Sequence, residues 1–232
     1  AVARRFYTTE VGDTTNKPEL YFEYTASGPT VTTVSSNSAT EGSSIVHTVT
    51  LSAAVTGSAA SYAITLAGGT ATGGGTDYTS TLSNGMFSDS VTVSGGNISV
   101  PVGVSTFTVT VSTAGDTLDE ANETYTLTIG GTAGTGTIND DDAAPTITGT
   151  TSQTVTAGSP VVITYSPGLS GQTRTYTLAL TDGTAVGGTD YDNTTVTGDF
   201  AVTAGTGSVS ISNSTVTVDP GVTEFTLSIG TT

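Results

Sequence analysis

Residues 115–125 read GDTLDEANETY, and residues 138–142 read INDDD. Asp116, Asp119, Glu120, Glu123, Asp140, Asp141 and Asp142 together place seven of the chain's 20 acids within 27 residues. Only 10% of the 232 residues are charged, and no Lys or Arg stands in that stretch. Carboxylates gathered this way are either solvated turn acids, whose side chains bond their own backbone, or oxygen donors to a hard cation such as calcium. A paired-carboxylate hydrolase would need a cleft and an acid of raised pKa, and these acids read as loop ends.

Other chemistry finds little support. The chain has no cysteine, which excludes disulfides and thiolate-held metals. His47 is the single histidine, and it falls on an inward strand position where a packed core residue is expected. Serines are abundant but have no base partner. The segment GGTATGGGTDY has glycines but neither the Lys nor the following helix of a phosphate loop. The expectation is a protein that is not an enzyme.

The acids must be held by strands. Thr, Gly, Ser and Ala dominate, hydrophobic residues make up 34%, and there are 30 glycines. That mixture favours pleated, half-buried surfaces joined by turns. An internal repeat organises it. TEGSSIVHTVTL (40–51) lies over TAGSPVVITYSP (156–167), and SYAITL (61–66) over TYTLAL (175–180). GGTDY recurs at 74–78 and 187–191, and VPVGVSTFTVTV (100–111) lies over VDPGVTEFTLSI (218–229). Each block alternates at period 2: Ile45, His47, Val49 and Leu51 share a face, as do Phe107, Val109 and Val111, and Tyr125, Leu127 and Ile129.

The expected fold is all-β, with tandem Ig-like β-sandwiches. Residues 28–142 form a complete sandwich. Residues 143–232 form a second that lacks its last two strands. Residues 1–27 hold two further strand candidates, ARRFYTTE and PELYFEYT. They read either as the remnant of a preceding domain or as strands donated to the open sandwich of a neighbouring molecule. A start at Ala1 suggests a processed or partial piece of a longer protein.

The formal net charge of −16 disfavours nucleic acid and anionic membrane as partners, and no apolar run is long enough to span a bilayer. Glycan or host-surface recognition would need exposed aromatics. There is no Trp, and only Tyr7, Tyr21 and Tyr78 stand at positions worth following. Asn97, Asn122, Asn193 and Asn213 fit the N-glycosylation pattern, a coincidence expected in a chain this rich in Ser and Thr.

The motifs ATEGSS (39–44), GGTDY (74–78), GDTLDEANETYTL (115–127) and GTINDDD (136–142), in that order, resemble the Calx-beta domain. The resemblance covers about 110 residues of the first unit and most of the second. Tandem repeats of this style are similar to those of large bacterial surface adhesins and phage structural proteins. Residues 5–24 resemble the closing strands of a DNRLRE-type domain. The Calx-beta resemblance implies a sandwich that binds calcium at one end, through Glu41, Asp77, Asp116, Glu120, Asp140, Asp141 and Asp142, with about one Ca2+ site in the first unit. Taken alone, Asp77 and Asp119 are expected to be solvated turn acids. The DDD run favours an ion, since adjacent like charges at a domain junction repel. Ala157 replaces Glu41 in the second unit and only Asp190 of the set remains, so no independent site is expected there.

These features suggest an extracellular stalk, fibre or filament on a cell or virion surface. It would assemble with itself head to tail or continue into neighbouring domains of a longer chain, and calcium would stiffen it at the junction.

Overall fold

A computed structural model describes residues 28–148 and 153–232; ARRFYTTE, PELYFEYT, Tyr7 and Tyr21 lie outside the described residues. The described chain is all-β. Its only helical turns are two 3-10 turns, Asn84–Met86 and Thr197–Asp199.

Residues 31–139 supply nine strands: β1 (Val31–Val34), β2 (Asn37–Thr40), β3 (Ser44–Leu51), β4 (Ala60–Gly68), β5 (Thr92–Ser94), β6 (Asn97–Val100), β7 (Thr106–Ser112), β8 (Glu123–Ile129) and β9 (Thr132–Asn139). They form two sheets, ordered β1-β3-β7 and β2-β9-β8-β4-β6-β5. Residues 161–229 supply β10 (Val161–Tyr165), β11 (Arg174–Thr177), β12 (Phe200–Gly205), β13 (Val209–Ser212), β14 (Thr215–Val218) and β15 (Val222–Ile229). Their sheets are ordered β10-β15-β12 and β11-β14-β13. Among the described residues, no sheet takes strands from both groups.

The period-2 pattern decides which side is buried. Ile45, His47, Val49 and Leu51 of β3 face inward, opposite Phe107, Val109 and Val111 of β7. The outward positions pair threonines across the ladder, Thr48 with Thr108 and Thr50 with Thr106, where branched side chains suit the pleat. From the facing sheet, Ile64, Leu127 and Ile129 close the core.

A second cluster, at the end of the sandwich where β8 begins, gathers Ile45, Tyr78, Val111, Tyr125 and Ile138. His47 sits under it, fully buried. Its Nδ1 lies 2.6 Å from the Ser35 carbonyl, which can only accept, so Nδ1 donates and Nε2 accepts from the Tyr125 hydroxyl at 2.9 Å. Burial lowers the imidazole pKa, which keeps this packed histidine neutral. The Tyr125 ring lies over Gly136, where any side chain would collide with it. Tyr78 stacks on Tyr125 with centroids 4.8 Å apart and is 1% exposed. It therefore offers no platform to a glycan, contrary to its place among the aromatics worth following.

The later strands repeat this plan without its last two members. Tyr62 donates to the Pro29 carbonyl (2.6 Å) and Tyr176 to the Pro145 carbonyl (3.1 Å), the same bond at the start of each repeat. Phe225, stacked on Tyr165, centres the second core with Val209, Val216, Val218 and Val222. Nothing among residues 153–232 corresponds to β8 and β9. Every residue of β10 is only half-buried, where its counterpart β3 alternates cleanly.

Candidate metal centre

Strand register brings the acids together. β2 and β9 pair in parallel with Thr40 opposite Asn139, so Glu41 and Asp140 leave the sheet side by side. The Glu41 N–H donates to the Asn139 carbonyl at 3.0 Å. β8 runs back alongside β9 with Glu123 opposite Ile138, which adds a third carboxylate to the same end. Two loops complete the group. Asp77 is held by its carboxylate accepting the Thr72 N–H (2.5 Å) and its carbonyl accepting the Ala114 N–H (2.9 Å). Residues 115–122 pack against the Glu41 turn because Gly115 backs onto Gly42, where an added Cβ would meet the Gly42 backbone at 3.0 Å.

Two sets of three carboxylates result, Glu41 with Asp140 and Asp142, and Asp77 with Glu120 and Glu123. In each, ligating oxygens all lie within 4.8 Å of one another. Asp116 lines the same pocket. Its N–H donates to Glu41 Oε1 at 3.3 Å and its Oδ1 accepts the Leu118 N–H at 2.7 Å. The Glu120 N–H donates to Asp140 Oδ1 at 3.0 Å, and Asn122 Oδ1 accepts the Asp140 N–H at 3.1 Å. Six of the seven expected ligands therefore share one end of the first sandwich. Asp141 is exposed and belongs to neither set.

The electrostatics record the crowding. Burial, and then the charges of Asp116, Asp142 and Asp140, raise the Glu41 pKa against a backbone hydrogen bond that lowers it. Burial and the charges of Asp116, Asp77 and Asp140 raise Glu120. Glu123 is pushed up to about 7 by burial, then by its hydrogen bond with Asp77 and the charges of Asp77, Glu120 and Glu41. Asp142 is raised by desolvation and by Asp141, Asp140 and Asp116. A side-chain hydrogen bond with Glu41 works the other way. The Asp142 Oδ2 is shut from solvent with no hydrogen-bond partner among the described residues, an arrangement that costs free energy unless something positive meets it. Oxygen-only donors on loops suit calcium, which takes six to eight oxygens in flexible geometry.

Glu123 did not come out of motif matching. A signal exists nonetheless: it stands in phase with the inward-facing Tyr125, Leu127 and Ile129, and an acid on a buried phase needs a partner.

Asp119 corrects the expectation of a solvated turn acid. It is 4% exposed. Its Oδ2 accepts from Ser170 Oγ at 2.6 Å and from Arg174 Nε at 2.7 Å, while Arg174 Nη2 bonds Oδ1 in a forked ion pair. Burial alone would raise its pKa, but these hydrogen bonds and the Arg174 charge hold the carboxyl below its usual range. The Asp119 carbonyl also accepts the Gly171 N–H at 2.9 Å. The loop that brings Asp116 and Glu120 to the acid cluster thus grips the second repeat through the residue between them. The ion pair spans 55 residues, too far for local pattern to reveal.

In the second repeat, Asp190 accepts the Val186 N–H within its turn (2.8 Å). Among the described residues, both three-carboxylate sets lie between 41 and 142.

No protein-family model matches the chain, and no curated protein sequence matches it. Similar solved structures include CBD12 from CALX1.2, 14% identical over 86% of this chain and 75% of that one, with a TM-score of 0.38. The calcium binding domain CBD12 of CALX1.1 is 15% identical over 82% and 69%, with a TM-score of 0.34. An I-band fragment of titin is 12% identical over 85% and 56%, with a TM-score of 0.27.

Proposed function

We propose that this chain is a non-catalytic, extracellular structural module, a segment of a stalk, fibre or filament whose two repeats are held at a fixed angle by calcium. One observation carries the reading. Within residues 115–122, Asp116 and Glu120 face the acid cluster while Asp119 is locked to Ser170 and Arg174 of the next repeat. Glu41, Asp140 and Asp142 would hold one ion, with Asp77, Glu120 and Glu123 as the second donor set. The ion supplies the positive charge these carboxylates lack. Neutralising them fixes the loop, and the loop fixes Asp119 against Arg174. Millimolar calcium outside cells suits a site of this kind, since extracellular modules bind at about 10⁻⁴–10⁻³ M.

Calorimetric titration with calcium, paired with small-angle scattering in calcium and in chelator, tests both halves. Binding accompanied by a narrower distribution of inter-repeat angles is the expected result. Changing Asp140, Asp141 and Asp142 together to Asn should remove the binding heat and leave the fold. A variant that binds calcium as the parent does would take the ion away from Asp140 and Asp142.

A further inference from the structure

Ser35 lies between β1 and β2, where the chain leaves one sheet and joins the other. Two hydrogen bonds pin it to β3: its N–H donates to the Thr48 carbonyl at 2.9 Å, and its Oγ accepts the Thr48 N–H at 2.7 Å. Its carbonyl faces Gly134 of β9, where an added Cβ would meet that oxygen at 2.6 Å. His47 reaches this carbonyl with one ring nitrogen and the Tyr125 hydroxyl with the other. One fully buried side chain of β3 thereby ties the crossover to β8 in the facing sheet. Tyr125 has little freedom of its own, since its ring lies between Gly136 and the stacked Tyr78.

This tie depends on the charge of the imidazole. Neutral His47 donates through Nδ1 and accepts through Nε2, so both bonds are satisfied at once. A proton on Nε2 turns the acceptor into a donor. The Tyr125 oxygen could then accept, but its own proton would have nowhere to go: among the described residues its hydroxyl has no other hydrogen-bond partner. Burial raises the Tyr125 pKa, so the phenol does not solve the conflict by giving that proton up. Nor is there a counter-charge. The titratable groups on the elements around His47 are Tyr125 and Glu123 of β8 and Tyr78 with Asp77 before it, while β1, β2, β7 and β9 bring none. Tyr62 of β4 is turned to Pro29. Burial lowers the His47 pKa and the Ser35 bond works against it, with no carboxylate contributing. A buried imidazolium with an orphaned hydroxyl beside it is costly on both counts.

We propose that His47 is a proton-operated tie between the two sheets, and that on taking up a proton at Nε2 in acid it lets go of Tyr125 and opens the first sandwich at the end where β8 begins. Because Gly136 and Tyr78 confine the Tyr125 ring, the ring cannot turn aside and must leave with its strand. The device stands apart from ion binding, since His47, Ser35 and Tyr125 belong to neither carboxylate set. Its sign follows from linkage. The folded pKa lies below the ordinary 6.5, so the tie contributes fully above that value and its contribution is lost as pH falls from there through the folded pKa.

His47 is the single histidine, so the full chain labelled with ¹⁵N-histidine gives one pair of ring signals to follow by NMR. The expected result is the Nδ1–H tautomer at neutral pH and a ring titration below 6.5, with the Tyr125 and Tyr78 ring signals moving in the same step. Amide exchange at Tyr125 and Leu127 measures the opening. Its increase from pH 7 to pH 5 should be roughly tenfold greater in the parent than in His47→Gln, which does not titrate. Glu123, whose raised pKa acts in the opposite sense, cancels in that comparison. An Nε2–H tautomer at neutral pH would overturn the proposal, as would an imidazole that stays neutral down to pH 4. So would a ring that titrates while Tyr125 and its amide stay unchanged, a result the parent gives even where the variant fails to fold. An equal pH response in the parent and a folded His47→Gln chain would do the same.

Discussion

His47 and Ile163 occupy one position in two copies of one plan, and their surroundings differ because of two strands. Over His47 lie β8 and β9, and Tyr125 of β8 hydrogen-bonds it, stacks on Tyr78 and helps seal the core at that end. Over Ile163 nothing comparable stands among the described residues, and β10 is half-buried throughout. The same two strands frame the acids, since Glu123 begins β8 and Asp140 follows β9. In this design the closing of the core and the gathering of the acid cluster are one event. A repeat without the closing strands has neither.

Breaking the sealed end should produce the largest asymmetry. Tyr125→Ala removes the ring over His47 and leaves the imidazole without its hydroxyl partner. A loss of about 4 kcal/mol is expected from a buried aromatic truncation, seen as an early unfolding transition of residues 31–139 in urea while that of residues 161–229 keeps its midpoint. Equal movement of both transitions would mean that the repeats do not fold separately. Next comes the joint between them. Arg174→Ala leaves the Asp119 carboxylate buried without its cation, with the Ser170 hydroxyl still donating to it, at a cost of about 2–3 kcal/mol given that Arg174 is itself a quarter exposed. Hydrogen exchange at Gly171 should report it, and Asp119→Ala added to Arg174→Ala should cost little more. Because the Asp119 pKa is lowered, this contribution is full above its unfolded pKa and is lost only as acid titrates the folded carboxyl.

A third comparison sets calcium against chelator. With free calcium at 100 times its Kd, the first repeat should gain about 2.7 kcal/mol by linkage. Glu41→Gln with Asp140→Asn should erase that gain while slightly raising the melting temperature in chelator, as repulsion is relieved. The smallest effect concerns protons. Folded Glu123 keeps its proton to about pH 7 against an ordinary value of 4.5. The calcium-free fold is therefore favoured at and below the ordinary value, and it loses that advantage as pH rises to 7. Solvent screening reduces the effect to about 1 kcal/mol. Denaturation of the chelated protein at pH 5 and pH 8 should show it, and Glu123→Gln should flatten the difference.

Much of this was legible in the residues. Alternation gave the buried faces of β3, β7 and β8 because Thr and Val at period 2 leave no other amphipathic solution. The meeting of Glu41, Asp77, Asp116, Glu120, Asp140 and Asp142 was implied by the resemblance that the motifs carry. Less accessible were features that depend on register between distant strands. The parallel pairing of β2 with β9 follows no local rule, and it sets Glu41 beside Asp140. Asp119 and Arg174 meet only because the Pro145 and Ser170 turns bring the second repeat against the 115–122 loop. One clue did stand in the open: Arg174 is the only basic residue between 28 and 232, and a single cation in an acidic chain invites a search for its partner. Tyr78 misled for the opposite reason, since a tyrosine in a Gly-rich turn reads as exposed until a facing ring is placed over it.

The parallel pair has a mechanical consequence. β2 lies near the entry of the first sandwich and β9 at its exit, joined in parallel from Asn37–Gly136 to Thr40–Asn139. Tension applied along the molecule pulls these strands in opposite directions along their length, so the rungs between them must fail together in shear instead of peeling one by one. Glu41 and Asp140 extend the same pair by one step. A cation shared between them would act as a rivet at the end of the seam that carries the load.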